Sequence, residues 1–149
     1  MTDSLPPMTE FKLHPRLQAD CFLVGHLALC ELLMMNDTHY PWFVLVPRRP
    51  DLNEIYQLSG PDRQLLLVES CVLSETLQTI YRPDKLNIAA IGNLVPQLHI
   101  HHVARYRTDI AWPAPIWGKL PPEPYTQKQA DSRIRQLREG LGEHLLANV

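Results

Sequence analysis

The stretch Gln97-Leu98-His99-Ile100-His101-His102-Val103 constrains the fold of this chain most, because it sets three of the seven histidines into an otherwise apolar run. Alternation with a period of two marks a strand, so a sheet is part of the fold. Successive strand side chains point to opposite faces, which groups Gln97, His99 and His101 on one face and Leu98, Ile100 and His102 on the other. Two imidazoles and an amide then project side by side. Imidazole titrates near neutrality, at about 6.5, so such a row suits a nucleophile, a proton donor or metal ligands. His102, facing away, is expected to be a hydrogen-bonded core or edge histidine.

The elements around this strand follow from local pattern. Cys21 to Val24 and Ala28 to Met35 flank Gly25-His26 and read as a hairpin. After the turn-rich Asn36-Asp37-Thr38-His39-Tyr40, the segment Pro41 to Pro47 reads as a short buried strand. Ser59-Gly60-Pro61-Asp62 has the chemistry of a helix start: a serine N-cap, a proline in the first turn and an acid at the positive helix end. A long helix is predicted from about Pro61 to Tyr81, with Leu65, Val68, Val72, Leu73, Leu77 and Ile80 as its apolar positions and Pro83 as its stop. Lys85 to Ile91 is a fourth strand, Gly92-Asn93 its turn, and Val95 to Tyr106 the histidine strand. Thr126 to Gln129 fits a capping box, and Ala130, Ile134, Leu137, Leu141 and Leu145 form one stripe of a C-terminal helix. The expected class is α+β, with a five-stranded, mainly antiparallel sheet, one long helix and a C-terminal helix.

Composition bounds what this fold can serve. A chain of 149 residues fits one domain, and at this size roughly 68–70% of the unfolded surface is buried. Residues 1–12 are expected to be a flexible, proline-rich N-terminal segment, and 13–149 a single domain. Within it, segment 112–124 carries five prolines and two tryptophans, too proline-rich for a regular element and too aromatic for a free linker. Trp112 and Trp117 are expected to pack onto the domain or a partner subunit rather than to stack on a ligand.

A net charge of −2 and a pI near 6.4 give no global positive field for polymeric nucleic acid, so any anion site is local. Cys21, Cys30 and Cys71 are odd in number and lack CxxC spacing, the usage of a reducing compartment, and each reads as a small core residue. With no signal peptide pattern and no apolar run long enough to span a bilayer, a cytoplasmic protein away from the membrane is expected. Taken alone, His99 and His101 support three readings: metal ligands, a nucleophile with a donor partner, or a structural polar row. For a metal, the other histidines and the carboxylates form no second spaced cluster.

Read in order, Leu86-Asn87-Ile88, then Gly92 to His101, then Ala104-Arg105, the chain resembles the histidine-triad (HIT) nucleotide-binding family. The family mark is His-φ-His-φ-His-φ-φ, with φ apolar. Here Gln97 stands at the first histidine and His102 at a φ position. Pro41 to Arg48 resembles the family's apolar strand ending in a proline and a base. The Trp112 to Gly118 segment looks like a feature of a bacterial branch.

The resemblance implies that His99 attacks the α-phosphate of a nucleotide and carries a nucleotidyl intermediate, its other ring nitrogen donating to the Gln97 carbonyl. It implies that His101 donates a hydrogen bond toward the leaving group, with Gln97 as the third, altered member of the catalytic row. Asn36, Asp37, Asn87, Asn93 and Arg105 are the implied nucleotide-binding residues, Asn36-Asp37 lying where the family keeps a ribose-binding acid. Leu94 stands where many members carry a Ser or Thr hydroxyl. A purine nucleotide or nucleotide conjugate as ligand, a homodimer, and no metal or other cofactor complete the expectation. The alternatives are a nucleotide-binding regulatory module with little turnover and a metal-dependent hydrolase using His99 and His101.

Overall fold

The computed structural model describes residues 10–147. In chain order it contains α1 (Pro15–Asp20), β1 (Cys21–His26), β2 (Cys30–Met35), β3 (Trp42–Pro47), α2 (Gly60–Tyr81), β4 (Lys85–Ala90), β5 (Ile100–Arg105) and α3 (Gln127–Leu141). The five strands form one sheet in the order β1-β2-β3-β5-β4, with every neighbouring pair antiparallel. The α+β expectation holds, and the histidine strand lies inside the sheet between β3 and the edge strand β4.

The helices begin where their capping residues dictate. Ser59 Oγ accepts from the Asp62 amide at 3.2 Å, and Thr126 and Gln129 form the expected capping box. Arg82 closes α2 in the left-handed region at φ 47°, immediately before Pro83. α1 was not expected; Pro15 in its first turn and the His14 ring, whose Nδ1 accepts from the Arg16 amide at 3.1 Å, account for it.

Two apolar cores lie on the two faces of the sheet. α2 and α3 cover one face, burying Leu73, Leu77, Leu137 and Leu141 against Phe43, Leu45 and Ile100. The other face carries Trp42, Val44, Val46 and Val103, packed by Leu17, Ala111 and Ile116 with Phe11, Leu13 and Trp117 around them. Phe11, inside the expected flexible segment, thus packs on this core; residues 1–9 lie outside the described residues. The proline- and tryptophan-rich segment docks on the domain as expected. β1 is bulged between Leu23 and Gly25, and a Cβ at Gly25 would come within 3.0 Å of Leu145, so the glycine lets the C-terminal turn close over the strand.

Three expectations need correction. The histidine strand starts at Ile100 rather than Val95: Pro96 has no N–H for a ladder, and the Leu98 amide bonds the Leu52 carbonyl at 2.8 Å instead. On α2 the inward face is Leu66, Glu69, Leu73, Thr76 and Leu77, while Val68 is 55% exposed. The Glu69 carboxylate is buried because it caps the β1–β2 turn, accepting from the Leu29 and Cys30 amides, each at 2.9 Å. Of the three cysteines only Cys30 is a buried core residue, and Cys71 is exposed.

Candidate active site

The connection between β4 and β5 is irregular, but both sides of it are anchored: Val95 sinks into one core and Leu98 into the other. Gly92 fits close against this loop, since a Cβ there would lie 3.2 Å from the Val95 carbonyl. The loop delivers His99 to the mouth of β5, where it is 6% exposed and lines a cavity of about 440 Å³ together with Asn53, Glu54, Gly92, Asn93 and Gln97.

His99 Nδ1–H donates to the Gln97 carbonyl at 2.7 Å. A ring proton held at Nδ1 leaves Nε2 with its lone pair free, the form a nucleophilic imidazole needs. Next to it lies His101, ring centroids 4.9 Å apart. The Trp42 indole N–H donates to His101 Nδ1 at 2.9 Å, and the Trp117 ring edges the same imidazole at 5.4 Å. Burial, with His99 and His102 nearby, pushes the His101 pKa down to about 3. His102 faces the helices: its Nδ1–H donates to the Ile100 carbonyl at 3.1 Å and its Nε2 accepts from Ser70 at 2.7 Å. Burial, opposed by that carbonyl bond, lowers its pKa to about 4. His102 is therefore a neutral core histidine, the role expected for it.

The other expected site residues are distributed differently. Asn93 lines the cavity beside His99. Gln97 does so as well, but its side-chain amide is turned to the N-terminal segment, where Oε1 accepts from the His14 amide and Nε2 donates to the Lys12 carbonyl, both at 2.8 Å. Asn36 and Asp37 lie beyond the far end of β3, whose Trp42 pairs with Val103 while Leu45 pairs with Ile100 beside His99. Asn36 Oδ1 accepts from the Tyr125 amide at 2.8 Å, and Asp37 Oδ1 accepts from the His39 ring and amide at 2.6 and 3.0 Å. The structure does not bring these two together with His99.

Asn87 and Arg105 meet each other two and four residues along the sheet from His101. Arg105 is 1% exposed; its guanidinium donates to Asp109 at 2.8 and 3.1 Å, to Asn87 Oδ1 at 2.8 Å and to the Ala114 carbonyl at 2.9 Å. It also lies against the Tyr40 and Trp112 rings. Burial alone would raise the Asp109 carboxyl; the Arg105 pair and the amides of Tyr106 and Ala111 outweigh it and hold the group below its ordinary range. This buried hub secures the 106–117 loop, and that loop carries Trp117 to His101.

Sequence reasoning missed Trp42, Asn53, Glu54 and the clasped residues Lys12 and His14. Trp42 had a signal, since alternation along β3 places it on one face with Val44 and Val46. The loop residues had none. Leu94 is 78% exposed. Among the described residues no three His, Cys, Asp or Glu side chains converge as a metal site, and no helix is long and apolar enough to cross a membrane.

An open antiparallel five-stranded sheet with two imidazoles at the start of an inner strand defines a histidine-triad protein. The HIT domain model matches residues 16–108, and the chain belongs to this family. It is similar to a histidine triad protein of Marinobacter aquaeolei VT8, with 48% identity, a TM-score of 0.89 and coverage of 93% of this chain and 100% of that one. A histidine triad protein from Bradyrhizobium japonicum shares 42% identity over 90% of this chain and 100% of its own, with a TM-score of 0.88. One from Sinorhizobium meliloti 1021 shares 36% over 87% and 96%, with a TM-score of 0.85. No curated relative matches the chain.

Proposed function

We propose that the chain is a nucleotide-binding HIT protein that hydrolyses or transfers a nucleoside monophosphate group through a covalent nucleotidyl-His99 intermediate. The observation that carries this reading is the His99 Nδ1–H bond to the Gln97 carbonyl at 2.7 Å, because it fixes the tautomer whose Nε2 can attack. In the first step Nε2 forms a bond to the α-phosphorus while the bond to the leaving group breaks, and the leaving group takes the electron pair. Water then attacks the same phosphorus, the P–N bond breaks, and nucleoside monophosphate leaves with neutral His99 restored. His101 donates a hydrogen bond to the departing atom or a phosphate oxygen, and Asn93 offers an amide at the cavity. Gln97 acts through its carbonyl on His99 and through its amide on residues 12–14. Arg105 and Asn87 hold the loop that carries Trp117 to His101, and Asn36 and Asp37 tether segment 123–125 to the sheet end.

The ligand class in this reading is a purine nucleotide or its conjugate, the substrates being nucleoside phosphoramidates or dinucleoside polyphosphates. The working form is a homodimer. Exposed Leu67 and Cys71 on α2 flank Ser70, which bonds His102, and half-exposed Ile88 pairs with His102 from the edge strand. One apolar patch thus joins the helix to the sheet edge.

A second reading, a regulatory module that binds nucleotide with little turnover, is favoured by the engagement of the Gln97 amide and by Leu94 at the hydroxyl position. Rapid quenching after mixing with diadenosine polyphosphate and, in parallel, an adenosine phosphoramidate separates the two. A nucleotidyl adduct mapped to His99 and lost in His99→Ala supports the enzyme. Tight AMP binding with no adduct and no product supports the module, and stoichiometric zinc by elemental analysis, lost in His101→Ala, would replace both with the metal hydrolase.

A further inference from the structure

The bond from Trp42 to His101 limits what His101 can do. An indole N–H is only a donor, so the ring nitrogen that faces it at 2.9 Å must present a lone pair. A neutral imidazole has one N–H, and it is thereby assigned to Nε2. The doubly protonated ring would set two N–H donors against each other at Nδ1 in a site where His101 is 5% exposed and water cannot easily take over. His99 is the titratable group in ring contact with it; His102 stands on the opposite sheet face, and no carboxylate among the described residues hydrogen-bonds His101.

We propose that Trp42 is a positioning residue that locks His101 as a neutral Nε2–H donor, and that the site therefore favours leaving groups that depart as stable anions, such as phosphates, over amines. The preference rests on the nucleotidyl-transfer reading above; the lock on His101 does not. Cleaving a phosphoric anhydride lets the phosphate leave with the bonding electron pair and no added proton, and a hydrogen bond from Nε2–H is enough to stabilise it. Cleaving a P–N bond to an amine requires the nitrogen to gain a proton as it leaves. His101 could give one only by becoming an imidazolate, because Trp42 occupies the nitrogen that would make it an imidazolium. Any proton for an amine must come from solvent. The depressed His101 pKa of about 3 points in the same direction.

The lock is tested on the whole chain with ¹⁵N-histidine labelling and long-range ¹H–¹⁵N correlation between pH 5 and 8. The expected spectrum gives His101 a pyridine-like Nδ1 and a pyrrole-like Nε2 throughout. A protonated Nδ1, or an imidazolium forming near pH 6, overturns the proposal without any variant being made. In Trp42→Phe, which keeps an aromatic ring and loses the N–H, His101 is expected to mix tautomers, while burial keeps its pKa below the ordinary value. Unchanged His101 shifts in that folded variant would remove Trp42 from the role.

Rates close the test. The native chain is expected to release AMP faster from a diadenosine polyphosphate than from an adenosine phosphoramidate. Trp42→Phe should shift the ratio of the two kcat values toward the phosphoramidate by up to about tenfold, since a freed Nδ1 can take up a proton and let His101 act as a general acid. A native preference for the phosphoramidate overturns the leaving-group assignment. Absence of turnover on both substrates defeats the enzymatic reading instead, while the nitrogen shifts still decide the lock.

Discussion

Gln97 grips His14 across the molecule: its Oε1 receives the His14 amide at 2.8 Å while its Nε2 reaches the Lys12 carbonyl. The first position of the histidine row is thus tied to the chain entering α1. Its main-chain carbonyl is the acceptor that sets the His99 tautomer, so one residue holds the nucleophile with its backbone and the N-terminal segment with its side chain.

Gln97→Ala deletes the clasp and leaves the carbonyl in place. Two hydrogen bonds at about 0.5–1.5 kcal/mol each give an expected loss of about 1–3 kcal/mol. Urea unfolding measures the loss, and amide exchange at His14 is expected to quicken before exchange at β5 does. Unaltered protection at His14 would show that the amide is idle. Nucleotidyl transfer, if it needs only the carbonyl, should persist in this variant at a reduced rate.

Arg105→Leu is expected to be among the most damaging single changes. It strands the buried Asp109 carboxylate and leaves the Asn87 and Ala114 oxygens without their donor, which for a broken buried ion pair costs roughly 3–5 kcal/mol. All three tryptophans meet this cluster or its loop: Trp112 lies against the guanidinium, and Trp117 packs on Trp42. Emission should therefore move to longer wavelength in the folded variant as the 106–117 loop loosens. Emission identical to that of the native protein, with full stability, would mean that the loop is held by its apolar contacts alone.

Leu67→Glu and Ile88→Lys probe the apolar patch shared by α2 and β4. Both residues are more than half exposed in the single chain, 66% and 51%, so neither charge should disturb the monomer. Equilibrium sedimentation is expected to show native dimers and weakened association in each variant. A native protein that stays monomeric at micromolar concentration removes the homodimer from the functional reading.

What the sequence revealed depended on whether a feature is local. Helix caps at Ser59 and Thr126 and the opposite facing of His101 and His102 are set by neighbours in sequence and follow from it. The hairpin before Asn36 forms too, but Gly25-His26, expected to separate its strands, pair with Leu32 and Glu31 inside β1, and the turn falls between His26 and Cys30. Alternation puts Gln97 beside His99, yet its amide serves residues more than eighty positions away, which no period reveals. Arg105 similarly stands in the sequence as an implied nucleotide-binding residue; only its convergence with Asn87, Asp109 and Ala114 makes it a buried hub. The strand began late because Pro96 interrupts a pattern that hydrophobic alternation alone carries through it.

Acid sensitivity should trace to the two buried histidines of β5. His102 falls from 6.5 to about 4 on folding and His101 to about 3, so between these values and 6.5 the unfolded chain binds more protons than the folded one. Stability is then complete above about pH 6.5 and declines as pH falls toward 4, with each histidine adding a slope of up to about 1.4 kcal/mol per pH unit. Between pH 5 and 6.5 most carboxylates are still ionised, so the histidine contribution is separable there from that of Asp109. Protonating His102 at Nε2 would reverse its bond with Ser70, whose hydroxyl can accept as well as donate, so burial of the charge is what costs stability. In His102→Gln, urea midpoints measured across this window should show roughly half the native pH dependence, together with a lower midpoint at pH 7.5 from lost core packing. An equal slope in both proteins would assign the acid sensitivity to other groups.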